Sequence, residues 1–202
     1  MKKIILSIVT IATIGFANAQ SKEKGSVEIT PKIGFSGFSE QNGKNSTNSN
    51  SGVELGATVD YYFNNRWSLR SGITADKMGG SYANNNNQLL EDKLNYLSIP
   101  VNANWHFGST RKWNLNFGFS PSFLSSAKTV TPVAEYNLSS SDIKSFQLGL
   151  TYGIGYKIEI TKKFGLLLDA QFFDGLTNIN NFSSDIIKNT GYSYNLGGVI
   201  QL

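Results

Sequence analysis

Residues 146–160 alternate without exception. Phe146, Leu148, Leu150, Tyr152, Ile154, Tyr156, Ile158 and Ile160 take one parity, and Gln147, Gly149, Thr151, Gly153, Gly155, Lys157 and Glu159 the other. Period two is the signature of an extended strand, whose successive side chains point to opposite faces. A strand buried on both sides would be apolar at nearly every position, so this one divides an apolar environment from a polar one.

The same alternation recurs along the chain. Val27, Ile29, Ile33 and Phe35 share a face in the first strand, Val53, Leu55, Ala57, Val59, Tyr61 and Phe63 in the second, and Trp67, Leu69, Ile73 and Ala75 in the third. Leu97, Ile99, Val101, Ala103, Trp105 and Phe107 follow, then Trp113, Leu115, Phe117, Phe119 and Phe123. After residues 146–160 come Phe164, Leu166, Leu168, Ala170 and Phe172, and finally Tyr192, Tyr194, Leu196, Ile200 and Leu202. Eight strands result, and nothing after residue 20 has a sustained helical period. Pro31, Pro100 and Pro121 fall inside them and each removes a ladder donor, so bulges or strand ends are expected there.

The connections alternate in length. Residues 64–66, 108–112 and 161–163 are tight turns, whereas residues 39–52, 77–92, 125–143 and 174–190 are long, rich in Asn and Ser, and poor in apolar anchors. The long ones are expected to be exposed and mobile. An even strand count with tight turns at one end and long loops at the other predicts an all-β fold, an eight-stranded antiparallel up-and-down transmembrane β-barrel with both termini in the periplasm.

Composition decides which face points outward. Only 16% of residues are charged, against about a quarter in ordinary soluble domains. The second face is mostly Gly, Ser, Thr, Asn and Gln, which suits the narrow lumen of eight strands. A soluble barrel would instead show water a face dense in Lys and Glu. Trp67, Trp105 and Trp113 lie beside the tight turns together with Tyr61, Phe63, Phe107 and Phe164. Each aromatic alone reads as core packing; as a group they favour a girdle at a membrane interface.

Lys2 and Lys3 precede an apolar run, and Ala17-Asn18-Ala19 supplies small residues at the positions a signal peptidase reads. A cleaved signal peptide over residues 1–19 is therefore expected, leaving a barrel domain over residues 20–202. With the leader ending before Gln20, the eight alternating strands, the stretch Tyr96-Leu97-Ser98-Ile99-Pro100-Val101 and the Gly-rich last strand, the chain resembles the outer-membrane β-barrel domain proteins, the PorT-like or "porin family" small barrels. The resemblance implies residence in the outer membrane, contact with its lipid and insertion by the barrel-assembly machinery. It implies no shared substrate, because fold does not fix function. Such barrels tend to finish on an aromatic residue read by that machinery, whereas this chain finishes on Leu202. A monomer is expected.

Cysteine is absent and His106 is the only histidine, which removes a disulfide framework, a thiolate or His-rich metal site and a cysteine nucleophile. No catalytic residue, cofactor or metal site is predicted. His106, beside a tight turn, reads as a solvated polar residue at a strand terminus, and no base accompanies the loop serines. No run of Lys and Arg suggests nucleic acid. The expected function is a non-enzymatic surface or interaction barrel presenting long polar loops; the alternatives are a narrow porin-like passive-transport barrel and, third, a soluble lipocalin-like binder. The three-residue turn sets Phe63 opposite Trp67, and hence Asp60 opposite Arg70, an inward structural ion pair in the lumen. A left-handed residue is expected in that turn. The same register sets Glu54 against Asp76, which calls for water, a cation or a lysine between them.

Overall fold

The described residues of the computed structural model are 22–84 and 86–202; the leader expected at residues 1–19 lies outside them. They form twelve β segments and no helix: β1 (Val27–Asn42), β2 (Asn45–Ser46), β3 (Asn48–Tyr62), β4 (Trp67–Met78), β5 (Gly80–Ala83), β6 (Leu89–Ser98), β7 (Val101–Phe107), β8 (Trp113–Val130), β9 (Glu135–Asn137), β10 (Phe146–Glu159), β11 (Phe164–Gly175) and β12 (Ile187–Gln201). All pairings are antiparallel, and the ladder returns to its start. It runs from β1 through β3 and β4 to β6 and β7, then through β8, β10 and β11 to β12. At the seam Ile29 of β1 faces Ile200 of β12, and Phe35 faces Tyr194. A sheet closed in this way exposes no edge.

Alternation alone gives eight strands, whereas the chain forms twelve segments. One reason is Pro100. Ser98 of β6 faces Thr74 and Val101 of β7 faces Ser71, but the pairing with β4 lapses between them, where proline has no N–H to offer. Pro31 and Pro121 do not end strands. The ladder from β1 to β12 skips Pro31 while that to β3 continues through it, and the Pro121 carbonyl accepts from Ile99 N at 2.9 Å. The wall's register shift lies elsewhere, between Asn95 and Tyr96.

The tight turn at 64–66 also departs from expectation. Among the described residues the non-glycine left-handed positions are Asn87 and Arg111, not in this turn. Asn64 closes it with its side chain instead, its Oδ1 accepting from Arg66 N at 2.8 Å and Trp67 N at 3.1 Å. This local bond does the work otherwise left to a positive φ.

The polarity of the wall is inverted relative to a soluble protein. Ile33 and Phe117 are each 55% exposed, while Asn104, Ser122 and Gln147 are wholly buried. An exterior of this kind has hydrocarbon, not water, as its solvent.

The second reason for the extra segments is that the alternation changes phase towards the long-loop end. Phe38, Met78, Leu94, Tyr96, Ala127 and Phe173 point inward and pack with Ile179 into a buried apolar cluster. The parts read as loops are therefore anchored: β1, β4 and β8 run on past the apolar belt, and β2, β5 and β9 pair with these extensions or their neighbours. Two glycines make the cluster possible. Gly191 faces both Phe38 and Phe173 in the register, and a Cβ there would come within 2.4 Å of the Phe38 ring. A Cβ on Gly149 would lie 2.2 Å from the Phe173 ring. Freed of both, the two rings meet edge to face at 6.0 Å.

Face assignment has a direct test. Leu150→Arg places a charge on the hydrocarbon side near mid-strand and should cost about 2–4 kcal/mol of folding free energy in vesicles. Gly153→Arg should fail through crowding, since even a Cβ there meets the Ala170 carbonyl at 2.4 Å. Denaturant titration of refolded protein reads both; wild-type stability in the Leu150 variant would reverse the faces.

Candidate functional site: a polar lumen beneath an apolar cap

Even positions of β3 and β4 turn Asp60 and Arg70 inward, and they face each other in the register. Arg70 Nε donates to Asp60 Oδ2 at 3.1 Å, and Arg70 Nη1 lies 3.5 Å from Asp169 Oδ1 on β11 across the lumen. Asp60 also accepts from Ser68 Oγ at 2.9 Å and Asn104 Nδ2 at 2.8 Å. One guanidinium thus joins carboxylates from two walls.

Towards the tight turns a second layer forms. Glu28 accepts from Tyr62 OH at 2.8 Å, pairs with Lys22 at 2.9 Å and also receives Lys157 Nζ. His106 stacks on Tyr62 with ring centroids 4.8 Å apart and bonds Ser68 through Nε2 at 2.9 Å. The expectation that His106 is solvated is corrected here, for it is 2% exposed. Its parity, between outward Trp105 and Phe107, carries it inside. The contact with Ser68 was not legible in the sequence, because no tight turn joins β4 to β7 and so nothing local fixes the register between them. Asp60 accepts from the serine hydroxyl, and the imidazole meets the same hydroxyl through Nε2, so Ser68 links the two groups.

Above Arg70 the lumen carries Glu54 and Asp76. Lys32 on β1 pairs with Glu54, its Nζ 2.6 Å from Glu54 Oε1. Asp76 instead accepts from Thr74 and Ser98 hydroxyls. The space left among Lys32, Glu54, Arg70, Asp76 and Asp169, beneath Phe38 and Phe173, is about 60 Å³, room for a few waters. No group of three or more potential metal-ligating side chains converges among the described residues.

On the outside, rings form a continuous stack beside the tight turns. Centroid separations are 6.3 Å for Trp67 and Trp105, 5.1 Å for Trp105 and Phe107, 6.3 Å for Phe107 and Trp113, and 4.7 Å for Trp113 and Tyr156. Tyr61 and Phe63 meet edge to face at 5.6 Å, and Phe164 is 42% exposed beyond them.

A closed antiparallel wall with a bonded polar interior and an apolar exterior has close counterparts. The profile of the outer membrane protein beta-barrel domain matches residues 18–181. The chain belongs to this outer-membrane β-barrel family. No curated protein matches it. Among solved structures, Neisserial surface protein A is 13% identical with a TM-score of 0.51, covering 86% of this chain and 97% of that one. Ail, the attachment invasion locus protein of Yersinia pestis, is 15% identical with a TM-score of 0.50, covering 86% and 99%. The outer membrane protein AlkL is 11% identical with a TM-score of 0.52, covering 92% and 94%. At these identities the likeness is one of fold. Membership of the family places the barrel in the outer membrane, with its apolar belt against lipid.

Outside the belt, above the cap, the barrel carries an acidic pair on inward positions of β1 and β6. Glu40 is buried, and no lysine or arginine pairs with it among the described residues. Burial, with the Asp92 carboxylate beside it, pushes the Glu40 carboxyl up to about 8. Asp92 is raised by burial, offset by hydroxyl donors from Thr129 and Tyr82.

Arg70→Met strands both Asp60 and Asp169 and should cost about 3–5 kcal/mol. Asp60→Asn should cost less, since Arg70 keeps Asp169, and adding Asp60→Asn to Arg70→Met should restore part of the loss; urea unfolding in vesicles gives the ranking. Glu40 holds a proton in the folded barrel that the unfolded chain releases at ordinary carboxylate pH. Stability of the cap should thus fall as pH rises from the ordinary value of 4.5 to about 8 and level off above it. Hydrogen exchange at cap amides should show this decline, and Glu40→Gln should flatten most of it.

Proposed function

We propose that this outer-membrane barrel is a non-enzymatic, monomeric surface protein whose working part is the long-loop end, held outside the cell by an eight-stranded wall. On this reading β6 and β7 are one strand interrupted at Pro100, while β2, β5 and β9 are hairpin pieces outside the wall. The observation that carries it is the contrast between the two ends of the lumen and what lies beyond. Inside, the Asp60–Arg70–Asp169 layer and the Phe38–Phe173 cap leave only the small cavity between them. Beyond, the hairpins extend past the belt and expose large apolar side chains, Val133 at 86% and Phe182 at 81%, with Tyr136 and Ile186 beside them in sequence. The two loops are braced against each other, Asn181 Nδ2 donating to the Ser140 carbonyl at 2.8 Å. Rigid hairpins with apolar tips suit a protein or surface partner better than a free solute.

In this account the Asp60–Arg70 pair is structural, and Tyr61, Phe63, Trp67, Trp105, Phe107, Trp113 and Phe164 make the girdle at the periplasmic interface. Residues 1–19 direct export, and the barrel-assembly machinery reads β12, whose outward face carries Tyr194, Leu196 and Ile200. The closed seam between β1 and β12 leaves the wall itself no strand edge to recruit a second copy.

Whole cells treated with protease test the orientation: cleavage is expected near Val133 and Phe182, with Asn64-Asn65 and Lys162-Lys163 protected. The same purified barrel should give no regular conductance steps in planar bilayers. Unitary steps that vanish on unfolding would transfer the assignment to passive transport.

A further inference from the structure

The tight-turn end differs in charge from the loop end. Lys24, Arg66, Lys162 and Lys163 are exposed on its rim, with Arg111 half-buried among them, and the acids there are Glu23 and Glu159. None of these basic side chains makes an ion pair among the described residues. The loop end is close to neutral, since residues 39–52, 77–93, 125–145 and 174–190 hold six basic and seven acidic residues.

The basic residues also stand at a fixed level. Arg66 directly precedes Trp67 and Lys163 directly precedes Phe164, each aromatic opening a wall strand. The charges therefore lie about one residue step, roughly 3.3 Å along the strand, outside the stacked aromatic belt. In a bilayer, rings of this kind sit at headgroup level. A cation one step further out meets lipid phosphate.

We propose that this rim is a binding collar for anionic phospholipid headgroups of the leaflet it faces, with Arg66, Lys162, Lys163 and Lys24 on the phosphates and the Trp67–Trp105–Phe107–Trp113 stack against the glycerol region. The inference rests on the membrane reading of the belt but names a lipid class, which that reading does not. Charge complementarity favours lipid over a soluble polyanion because the aromatic stack is continuous with the basic rim. Single cations near an anionic membrane surface attract lipid measurably, and the attraction is screened by salt.

All three tryptophans lie in this stack, so their fluorescence reports on the collar. The full barrel is folded into phosphatidylcholine vesicles containing a minority of either dibrominated phosphatidylglycerol or dibrominated phosphatidylcholine, and quenching gives the relative affinity of the two lipids. Phosphatidylglycerol should be favoured about threefold or more at low salt, and the preference should collapse near 1 M salt. The variant Arg66→Gln/Lys162→Gln/Lys163→Gln should remove most of it while keeping wild-type heat-modifiability, which controls for folding. Equal quenching by the two lipids would overturn the collar and leave the membrane reading standing. So would a preference that survives in the triple variant, or equal quenching together with capture of the protein by soluble polyglutamate. No quenching by either lipid would overturn the collar and the membrane reading together.

Discussion

Hydrocarbon offers a backbone N–H or C=O no partner, and the architecture follows from that constraint. Antiparallel pairing satisfies the interior of the sheet, but only closure satisfies its two margins, and the seam between β1 and β12 provides closure. Once the sheet is closed, alternation sends half of the side chains to lipid and half into a lumen. The exposed Ile33, Phe117 and Leu168 and the buried Asn104, Ser122 and Gln147 are two outcomes of one rule.

The lumen then faces its own problem, because charges withdrawn from water need partners. Arg70 answers it with carboxylates from β3 and β11, Lys32 with Glu54, and Lys157 with Glu28. Two of these, Arg70 to Asp169 and Lys157 to Glu28, join strands far apart in sequence, so they brace the wall as well as neutralise it. Filling the interior with side chains leaves a cavity of about 60 Å³ among Lys32, Glu54, Arg70, Asp76 and Asp169.

Beyond the belt the environment is water again, and the sequence responds by reversing phase. Phe38, Met78 and Phe173 turn inward where Ile33, Ile73 and Phe172 turned outward. The loop end is therefore built like a small soluble domain seated on a membrane barrel. Its apolar cluster anchors hairpins that would otherwise be the flexible Asn- and Ser-rich loops their composition suggests.

The long strands of the wall, their face parity and the outer-membrane setting are legible in the sequence, because period-two alternation is local and the family is carried by the chain's overall pattern. Parity with a three-residue turn likewise carries Asp60 and Arg70 to opposed positions, both on adjacent strands. Only the tertiary structure decided the rest. Asp169 reaches Arg70 from a strand about one hundred residues away, and Ser68 meets His106 through a pairing of β4 with β7. Neither contact leaves a local trace. The cap was hidden for a related reason: Met78, Leu94 and Ile179 are isolated apolar residues in polar stretches, and they become a cluster only when closure of the wall brings their strands round to a common axis.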